Sequence, residues 1–404
     1  MKILMADRFP EQFLPEVEKL GYQWHLRPDL NGATLREALG GMNILLVRST
    51  RITDSTLECA SDLGWIIRAG AGYNTIDCDA AARRAIWVSN VPGRNSIAVA
   101  ELTMGLILAV DRRIPDNVIA IRQKQWQKKQ FAKSRGLLGK TLGIVGMGRI
   151  GIEVARRAHG FGLKLLAVEK TRSLEMREQM DELGVTSVSR LEDLFAASDI
   201  VTLHVPANPA TAGMVSEDLL SRLKPGSFLI NTSRAPIVDE AALLRALDRQ
   251  QLWAGVDVFA DEPATASEPW DSRLVNHPRV YTTHHIGAST LQAQYSIASE
   301  VVNMLRDYAR GQVRNVVNLG VRPPRGTFLT IRHIDRVGVL SAVLTAIRSL
   351  GLNVQNMSNQ VFSGAGSAVA VIQVEGDALD HLVSELESLP HIMGVAAHHS
   401  GDSG

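Results

Sequence analysis

The sequence predicts an α/β protein with two doubly wound parallel sheets followed by a smaller βαββαβ unit. Residues 1 to 95 and 141 to 287 alternate short apolar runs with helical patterns, which is typical of parallel sheets. Adjacent prolines within 320 to 327 favour an extended linker before the third unit. A chain of 404 residues is long enough for about two or three domains with sizeable cores.

The first two blocks predict their strands from apolar runs bounded by turn residues. In the first block these runs are residues 2 to 7, 43 to 49, 64 to 70 and 85 to 91. In the second block they are residues 141 to 146, 163 to 169, 199 to 205, 226 to 232, 253 to 259 and 279 to 284. Between the blocks, a helical pattern from Ile97 to Val110 is apolar almost all round, so we expect it to be buried in a core or an interface. A second long helical pattern covers Leu291 to Arg310.

The third unit, residues 327 to 400, predicts strand, helix, strand, strand, helix and strand in that order. Its first helix carries apolar residues at positions 339, 340, 343, 344, 347 and 350 and should end at Gly351. This order favours a small ferredoxin-like domain with its helices on one face of the sheet.

Composition excludes several classes of function. Lys and Arg total 43 against 42 Asp and Glu, so the chain lacks the positive charge of a nucleic-acid-binding protein. No apolar run reaches the roughly 18 residues of a membrane span, and we expect the apolar N-terminal run to be a strand and not a targeting segment. Cys59 and Cys78 are too few for a disulfide framework and lack metal-ligand spacing, which favours a reducing compartment, the cytoplasm.

A dinucleotide site is predicted at Gly146-x-Gly148-x-x-Gly151, directly after a predicted strand and at the start of a helix. The glycines let the backbone, with Arg149 and Ile150 between them, approach a pyrophosphate at the positive end of the helix. Glu169 ends the next predicted strand, where a carboxylate accepts hydrogen bonds from ribose hydroxyls and disfavours a 2′-phosphate. The sequence therefore favours NAD over NADP, although Lys170 and Arg172 keep NADP open.

Three ionisable groups follow predicted strands at the edge where ligands bind to such sheets. They are Arg234, Glu262 and one of the adjacent histidines His284 and His285. A guanidinium holds a carboxylate bidentately, an imidazole transfers a proton near neutral pH, and a carboxylate orients that imidazole. Beside a nicotinamide, this set predicts hydride transfer at a carbon next to a carboxylate.

On these residues the chain resembles the D-isomer-specific 2-hydroxyacid dehydrogenases and, within them, the D-3-phosphoglycerate dehydrogenases that carry a C-terminal ACT domain. The resemblance covers nearly the whole chain, and its most specific segments are VRSTRIT (47 to 53), RAGAGYNTID (68 to 77), NVPGRNSIAVAELT (90 to 103), GKTLGIVGMGRIG (139 to 151), HVPANPAT (204 to 211), LKPGSFLINTSRAPIVDEAAL (223 to 243), GVDVFADEP (255 to 263) and HIGAST (285 to 290). It implies NAD-dependent oxidation of D-3-phosphoglycerate to 3-phosphohydroxypyruvate, the first step of serine biosynthesis.

The resemblance also assigns the reacting groups. His285 would be the acid/base, Glu262 would orient it, and Arg234 would bind the C1 carboxylate and polarise the C2 carbonyl. The cofactor cleft would add these residues: His204, Val205, Pro206, Thr211, Thr232, Ser233, Asp257 and Gly287. His284 stands where the family has proline, Ala98 where serine is usual, and Ala235 where glycine is usual, which would matter only if residue 235 needs a positive φ.

The far end of the substrate is assigned less specifically. Candidate contacts are Arg48, Ser49, Arg68, Gly70, Ala71, Gly72, Asn95 and Lys128, of which Lys128 would reach a neighbouring subunit. Alternatives within the family are glyoxylate or hydroxypyruvate reductases and D-lactate dehydrogenases, which need less positive charge around the pocket. An alternative of another class is an NAD-sensing scaffold like the C-terminal binding corepressors. That interpretation is favoured when catalytic groups are missing, whereas here the Arg, Glu and His set is complete.

The resemblance finally implies domains, assembly and regulation. Residues 1–96 and 288–319 would form the substrate domain, 97–287 the NAD-binding Rossmann domain, 320–326 a linker and 327–404 an ACT-like regulatory domain. We expect a homodimer across the helix at Ile97 to Val110, paired into a homotetramer by the third unit. An L-serine effector would bind His333, Asp335 and Asn353 between two ACT-like domains, although Val337 replaces a common proline and the domain could serve assembly alone.

Overall fold

The computed structural model describes residues 1–263, 269–319, 326–364, 366–375 and 379–400. It divides into two compact units, Met1–Leu319 and Gly320–Gly404. Of the predicted linker 320–326, all but Gly326 lies outside the described residues. Across the described ranges, no helix is both long and apolar enough to cross a membrane.

The first sheet has five parallel strands in the order β2-β1-β3-β4-β5. They are β1 (Lys2–Met5), β2 (Gln23–Leu26), β3 (Ile44–Val47), β4 (Trp65–Arg68) and β5 (Trp87–Asn90). The helices around it are α1 (Leu14–Lys19), α2 (Gly32–Ala38), α3 (Asp54–Leu57) and α4 (Cys78–Arg83), with a 3-10 turn at Glu11–Phe13. Strand β3 is buried at every residue, as expected for a sheet covered on both faces. Strand β2 was not predicted, because it is a half-exposed edge strand without an apolar run.

The second sheet has seven parallel strands in the order β12-β11-β10-β9-β6-β7-β8. They are β6 (Thr141–Val145), β7 (Lys164–Val168), β8 (Val185–Val188), β9 (Ile200–Leu203), β10 (Phe228–Asn231), β11 (Trp253–Val256) and β12 (Val280–Thr282). The helices of this part are α5 (Ser96–Arg112), α6 (Ile114–Arg122), α7 (Lys128–Phe131), α8 (Arg149–Gly160), α9 (Leu174–Glu182), α10 (Leu191–Ala197), α11 (Glu217–Ser221) and α12 (Glu240–Arg249), with a 3-10 turn at Ala235–Ile237. The strand order reverses between β6 and β9, which is where such sheets bind a dinucleotide. The prediction of two parallel sheets is therefore confirmed.

Helix α5 lies in the core of the second sheet. Its buried residues include Met104, Leu106 and Ile107, which pack in one cluster with residues of α8 and β6. The nearly all-apolar pattern of this helix is thus explained by burial within the unit. Ile97 is its one large apolar residue exposed to solvent among those described, and the dimer across this helix stays a prediction.

Helix α13 (Leu291–Tyr308) returns the chain to the first sheet. The Thr290 side chain caps it by accepting a hydrogen bond from the Ala293 amide at 3.1 Å. Buried residues such as Ile297 and Val301 join the core of the first sheet. The segment that carries His284 and His285 therefore lies between the end of β12 and this cap.

The second unit contains an antiparallel sheet in the order β14-β15-β13-β16. Its elements follow the predicted sequence: β13 (Gly326–Ile334), α14 (Val339–Ser349), β14 (Asn353–Val361), β15 (Ser367–Glu375), α15 (Leu379–Glu387) and β16 (Ile392–Ser400). Helix α14 ends before Gly351, whose φ of 69° is the left-handed conformation that glycine tolerates at this position.

Candidate active site

The acid/base candidates lie after β11 and β12, at the carboxyl edge of the second sheet. His285 Nδ1 is 2.7 Å from Glu262 Oε2, and Glu262 Oε1 accepts the Phe259 amide at 2.9 Å. His285 has a φ of 50°, a left-handed conformation in which histidine is more common than most side chains. His284 is exposed beside it. The Glu262 carboxylate thus pairs with Nδ1 of His285, and Nε2 of the same ring remains for a substrate.

The charge of Glu262 is stabilised at this site. Burial raises the pKa of its carboxyl group, but the hydrogen bonds from His285 and the Phe259 amide outweigh burial and hold that pKa below its usual value. An ionised Glu262 favours a proton on Nδ1 of the imidazole. The pair is therefore arranged for proton exchange through Nε2.

Arg234 follows β10, and its guanidinium lies beside Gly72, which follows β4 of the first sheet. Burial lowers the pKa of its guanidinium, and the nearby Glu262 acts in the opposite direction. A Cβ added to Gly72 would lie 2.0 Å from Arg234 Nη2, so the absent side chain makes room for the guanidinium. Ala235 opens a 3-10 turn and does not have a positive φ. Alanine at position 235 thus carries no left-handed backbone strain.

The turn that carries Arg234 is held from two sides. Asn231 Oδ1 accepts the Ser233 hydroxyl at 2.7 Å, and Asn231 Nδ2 donates to the Arg234 carbonyl at 3.0 Å. The hydroxyl groups of Thr232 and of Thr103 in α5 form a buried hydrogen bond of 3.0 Å. The role of Thr103 was missed, although a hydroxyl in an otherwise apolar helix was a signal for it.

The dinucleotide turn joins β6 to α8. A Cβ on Gly146, whose φ is 101°, would lie 2.4 Å from the His204 carbonyl oxygen, and one on Gly151 would lie 2.2 Å from the Gly146 carbonyl oxygen. A Cβ on Gly148 would meet nothing within 4 Å, so open space lies at the first turn of α8. This arrangement fits a pyrophosphate on the amides of the helix. Arg149 instead donates to the Pro92 carbonyl at 2.8 Å, in the segment between β5 and α5.

Other predicted cofactor residues surround this edge of the sheet. Glu169 follows β7, and the Arg172 guanidinium donates to the Val168 carbonyl beside it at 2.6 Å. His204 bonds Thr202 through Nε2 at 2.9 Å, and burial lowers its pKa to about 3, so it is neutral. Its buried Nδ1 has no partner among the described atoms, which leaves a polar group for a ligand.

Further along this edge, Val205 and Pro206 follow β9, and Pro206 accepts the Thr211 hydroxyl at 2.6 Å. Asp257 lies beneath the His285 loop. Its carboxylate accepts hydrogen bonds from the Thr283 hydroxyl at 2.5 Å and from the Ile286 and Gly287 amides at 2.9 Å each. Asp257 therefore binds the loop on both sides of the adjacent histidines, through the Thr283 side chain before them and through two backbone amides after them.

Three arginines converge from the two sheets. Arg48 follows β3, Arg68 ends β4, and the pKa of Arg68 is lowered to about 10, first by burial and then by repulsion from Arg234 and Arg48. A Cβ on Gly70 would lie only 1.7 Å from Arg68 Nη1, so this glycine too makes room for a guanidinium. The buried Arg68 Nε has no partner among the described atoms. Such a cluster is a strong site for anions.

The remaining predicted substrate residues divide into two groups. Asn95 Oδ1 is buried and unpartnered among the described atoms, and Ala71 accepts Asn90 Nδ2 at 2.6 Å, both near the cleft. The Ser49 hydroxyl already donates to Asp7 at 2.8 Å. Lys128 instead lines a groove of about 420 Å³ with Trp126, and none of the three arginines lines that groove. The structure therefore does not bring Lys128 to the arginine cluster.

The three predicted effector residues lie in the second unit, at two ends of one sheet. His333 pairs with Ala368 across the sheet, whereas Asn353 pairs with Glu375 at the other end of β15. At about 3.3 Å per residue, these ends are roughly 23 Å apart. Asp335, just past β13, lies at the His333 end, where its amide bonds Gly366. A single copy of the domain does not bring the three residues together.

Known proteins are similar to this chain over most of its length. Residues 104–287 match the sequence model of the family described as "D-isomer specific 2-hydroxyacid dehydrogenase, NAD binding domain". The D-3-phosphoglycerate dehydrogenase of Methanocaldococcus jannaschii is 34% identical over 92% of this chain and 67% of its own length. That of Bacillus subtilis is 37% identical over 72% of this chain and 54% of its own length.

A solved structure is similar in both sequence and fold. The NAD+-bound 3-phosphoglycerate dehydrogenase of Entamoeba histolytica superposes with a TM-score of 0.65 at 27% identity, covering 80% of this chain and 99% of that one. The chain spans only about half to two thirds of the length of the curated relatives it matches, 54% for the Bacillus protein and 67% for the Methanocaldococcus protein. Among the residues that the structure describes, no group of three or more His, Cys, Asp or Glu is placed to hold a metal ion.

Proposed function

Because the chain belongs to the D-isomer-specific 2-hydroxyacid dehydrogenase family, we propose that it oxidises D-3-phosphoglycerate to 3-phosphohydroxypyruvate with NAD. The observation that supports this substrate is the cluster of Arg48, Arg68 and Arg234. A simple 2-hydroxy acid has one carboxylate for Arg234, whereas a phosphorylated one has a second anionic group for the other two arginines. The paired His285 and Glu262 supply the proton chemistry.

In the proposed reaction, C2 loses a hydride and its hydroxyl loses a proton. NAD, held at the turn from Gly146 to Gly151, would supply the hydride acceptor. His285 takes the hydroxyl proton on Nε2, and the carboxylate of Glu262 stabilises the imidazolium that forms. Arg234 binds the C1 carboxylate and polarises the C2–O bond. The reverse reaction returns the proton from His285 to the C2 oxygen.

The assignment of regions follows from this function. Residues 1–96 and 288–319 would bind the substrate, residues 97–287 would bind NAD, and 327–404 would form a regulatory ACT-like domain. The position of Glu169 after β7 supports NAD over NADP. Residues Thr232, Ser233, Asp257 and Gly287 would line the nicotinamide side of the cleft, and Asp257 would also hold the His285 loop.

The substrate proposal predicts a preference between two ketoacids. The enzyme should reduce 3-phosphohydroxypyruvate with a kcat/KM about 100-fold above that for hydroxypyruvate, since each charged hydrogen bond to the phosphate contributes ~1.5 kcal/mol or more. Initial rates of NADH oxidation with both substrates measure this ratio. Greater efficiency with hydroxypyruvate, glyoxylate or pyruvate would assign the protein to another activity within the family.

A homodimer is also proposed, with a tetramer as a further step. Exposed apolar side chains of α6 and the segment after it support a self-association surface: Ile119 and Ile121 are each 54% exposed, and Trp126 is 81% exposed. Lys128 lies beside Trp126, where it would reach a second copy.

The dimer predicts a size change on substitution. Light scattering at micromolar concentration should give the molar mass of a dimer or tetramer. Ile119→Asp should shift that mass toward the monomer because the carboxylate would be buried unpaired. The matched control is Leu174→Asp, which replaces an apolar residue that is 64% exposed on α9. A monomeric parent protein, or equal shifts in both variants, would contradict this interface.

L-Serine is proposed as an inhibitor that binds the second unit between two copies. Pairing is required because the His333 and Asn353 ends of one sheet are far apart. His333 is buried, and its ring bonds the Ile334 carbonyl at 2.8 Å and Asn359 Oδ1 at 3.0 Å. Serine would therefore meet Asp335 and Asn353 directly and reach His333 by displacing Asn359.

Serine should then inhibit the full chain in the millimolar range. A coupling of about 1 to 3 kcal/mol corresponds to a 5- to 150-fold change in affinity. Initial rates against L-serine measure the inhibition, and calorimetry on the full chain measures the binding. If neither serine nor glycine changes the rate or produces heat, the second unit serves assembly alone.

The cytoplasm is the proposed location. Cys59 and Cys78 are both free thiols, which supports a reducing compartment. Cell fractionation with antibody detection would identify the compartment that contains the protein.

A further inference from the structure

Asp7 occupies the carboxyl edge of the first sheet beside the anion site. It lies two residues past β1, whose neighbour β3 leads into Arg48. Its Oδ2 atom accepts the backbone amides of Arg48 at 2.6 Å, Ser49 at 3.1 Å and Thr50 at 3.1 Å. Its Oδ1 atom accepts the Ser49 hydroxyl at 2.8 Å. One carboxylate therefore holds three successive amides and a hydroxyl.

Three amides that converge on one oxygen form a backbone site for an anion. Without Asp7, that site would be open next to two guanidinium groups, and a substrate phosphate would have an alternative position there. With Asp7 in place, the amides of residues 48–50 are saturated. The phosphate is then left with the guanidinium groups of Arg48 and Arg68 as its donors.

Asp7 also determines where Arg48 projects. The Arg48 amide bond to Asp7 is the shortest of the four, and the Arg48 guanidinium reaches Ser289 Oγ at 3.4 Å, four residues beyond His285. In addition, the negative charge of Asp7 opposes the lowering of the Arg68 pKa by burial and by the neighbouring arginines. The carboxylate therefore acts on both arginines of the proposed phosphate site.

We propose that Asp7 is the positioning residue for the phosphate end of the substrate. It fills the amide site of residues 48–50, fixes the backbone from which Arg48 projects, and directs the phosphate to the guanidinium groups. This inference rests on the proposed function, because it assumes a phosphorylated substrate. It predicts a defect confined to that end of the substrate.

The test compares the full-length variants Asp7→Ala and Asp7→Asn with the parent protein. Asp7→Ala should raise the KM for 3-phosphohydroxypyruvate about tenfold or more and leave the KM for hydroxypyruvate within about twofold, with a smaller change in kcat. Asp7→Asn keeps the shape of the side chain but has one acceptor oxygen for four donors, so it should show the same selectivity to a lesser degree. Asp29→Ala, which removes an exposed carboxylate paired with Arg27, is the matched control.

Chemical rescue separates positioning from general damage. The alanine methyl group plus one formate ion replaces the atoms of aspartate, so formate should lower the raised KM of Asp7→Ala toward the parent value. Chloride at the same ionic strength should not, which controls for screening. Formate should not improve the parent protein or Asp29→Ala.

The outcomes distinguish this inference from the proposed function. A parent protein that does not prefer 3-phosphohydroxypyruvate overturns the proposed substrate, and Asp7 is then tested through inhibition by inorganic phosphate, which Asp7→Ala should strengthen through the freed amides of residues 48–50 and formate should return to the parent value. Equal KM changes for both ketoacids, unchanged KM values in both variants, or a rise that formate does not reverse would overturn the role of Asp7. If Asp7→Ala does not fold, the selectivity of Asp7→Asn decides.

Discussion

Replacing His285 by glutamine should lower kcat by about 10²- to 10⁴-fold, because the proposed reaction would lose the group that exchanges a proton with the substrate oxygen. Glutamine is similar in length but does not titrate, so the loop should keep its course on Asp257, which holds the flanking amides. The affinity for NAD should change little, since proton transfer contributes nothing to dinucleotide binding. Steady-state kinetics and calorimetric titration with NAD measure the two quantities.

The adjacent histidine is the control. His284 is exposed and lies outside the pair formed by His285 and Glu262, so His284→Gln should keep most of the activity. Loss of turnover in His284→Gln with retention in His285→Gln would show that the acid/base has been assigned to the wrong imidazole.

The pH dependence follows from Glu262. Although burial raises the pKa of this carboxyl group, the hydrogen bonds from His285 and Phe259 lower it below its usual value. A lowered carboxyl pKa means that the stabilisation from the pair is present above the unfolded-state pKa and is lost only as the pH falls through the folded-state pKa. Glu262 therefore stays ionised near neutrality. Unfolding measured against pH should therefore show the loss of the stabilisation from this pair only in acid, below the usual range of a glutamate carboxyl group.

Replacing Arg234 by lysine should lower kcat/KM by about 10²- to 10³-fold. An ammonium keeps the charge but cannot hold the carboxylate with two parallel hydrogen bonds while polarising the adjacent carbonyl. The loss should appear in kcat as well as in KM, because polarisation acts on the reacting carbonyl. The same kinetic assay with 3-phosphohydroxypyruvate measures both constants.

A surface arginine provides the matched control for this change. Arg245 forms an exposed ion pair with Glu217 at 2.7 Å, and Arg245→Lys should leave kcat/KM unchanged. If Arg234→Lys raised KM alone and left kcat intact, Arg234 would bind the substrate without contributing to the chemical step.

Most of the architecture could be predicted because buried parallel strands are continuous apolar runs. The strands Ile44–Val47 and Ile200–Leu203 are buried at every residue, and their sequences, ILLV and IVTL, are almost entirely apolar. The strands Gln23–Leu26 and Val185–Val188 were missed because they lie at sheet edges and are only partly buried, so polar residues interrupt any apolar run. Edge strands form through pairing with a neighbour, which the local sequence does not record.

The site could be predicted only as far as strand ends define it. Residues directly after strands, such as Arg234 and Glu262, were expected at one edge of the sheet. The supporting contacts of Asp7 and Thr103 were not, because each joins segments that are distant in sequence through hydrogen bonds of common side chains. The separation of His333 from Asn353 likewise depends on strand register, which a list of motif residues does not contain.

Gly70 and Gly72, which accommodate guanidinium groups of the arginine cluster, constrain how this protein can evolve. At position 72 the obstacle to a side chain is the Arg234 guanidinium, so a lineage that first lost Arg234 could later accept alanine there. At position 70 the obstacle is double, since Arg68 occupies the space and the φ of 150° is itself unfavourable for any residue with a Cβ. Loss of Arg68 alone would therefore not release Gly70. Among relatives that have lost both arginines, a side chain should therefore appear at position 72 before position 70, and reconstructed sequences can be compared with that order.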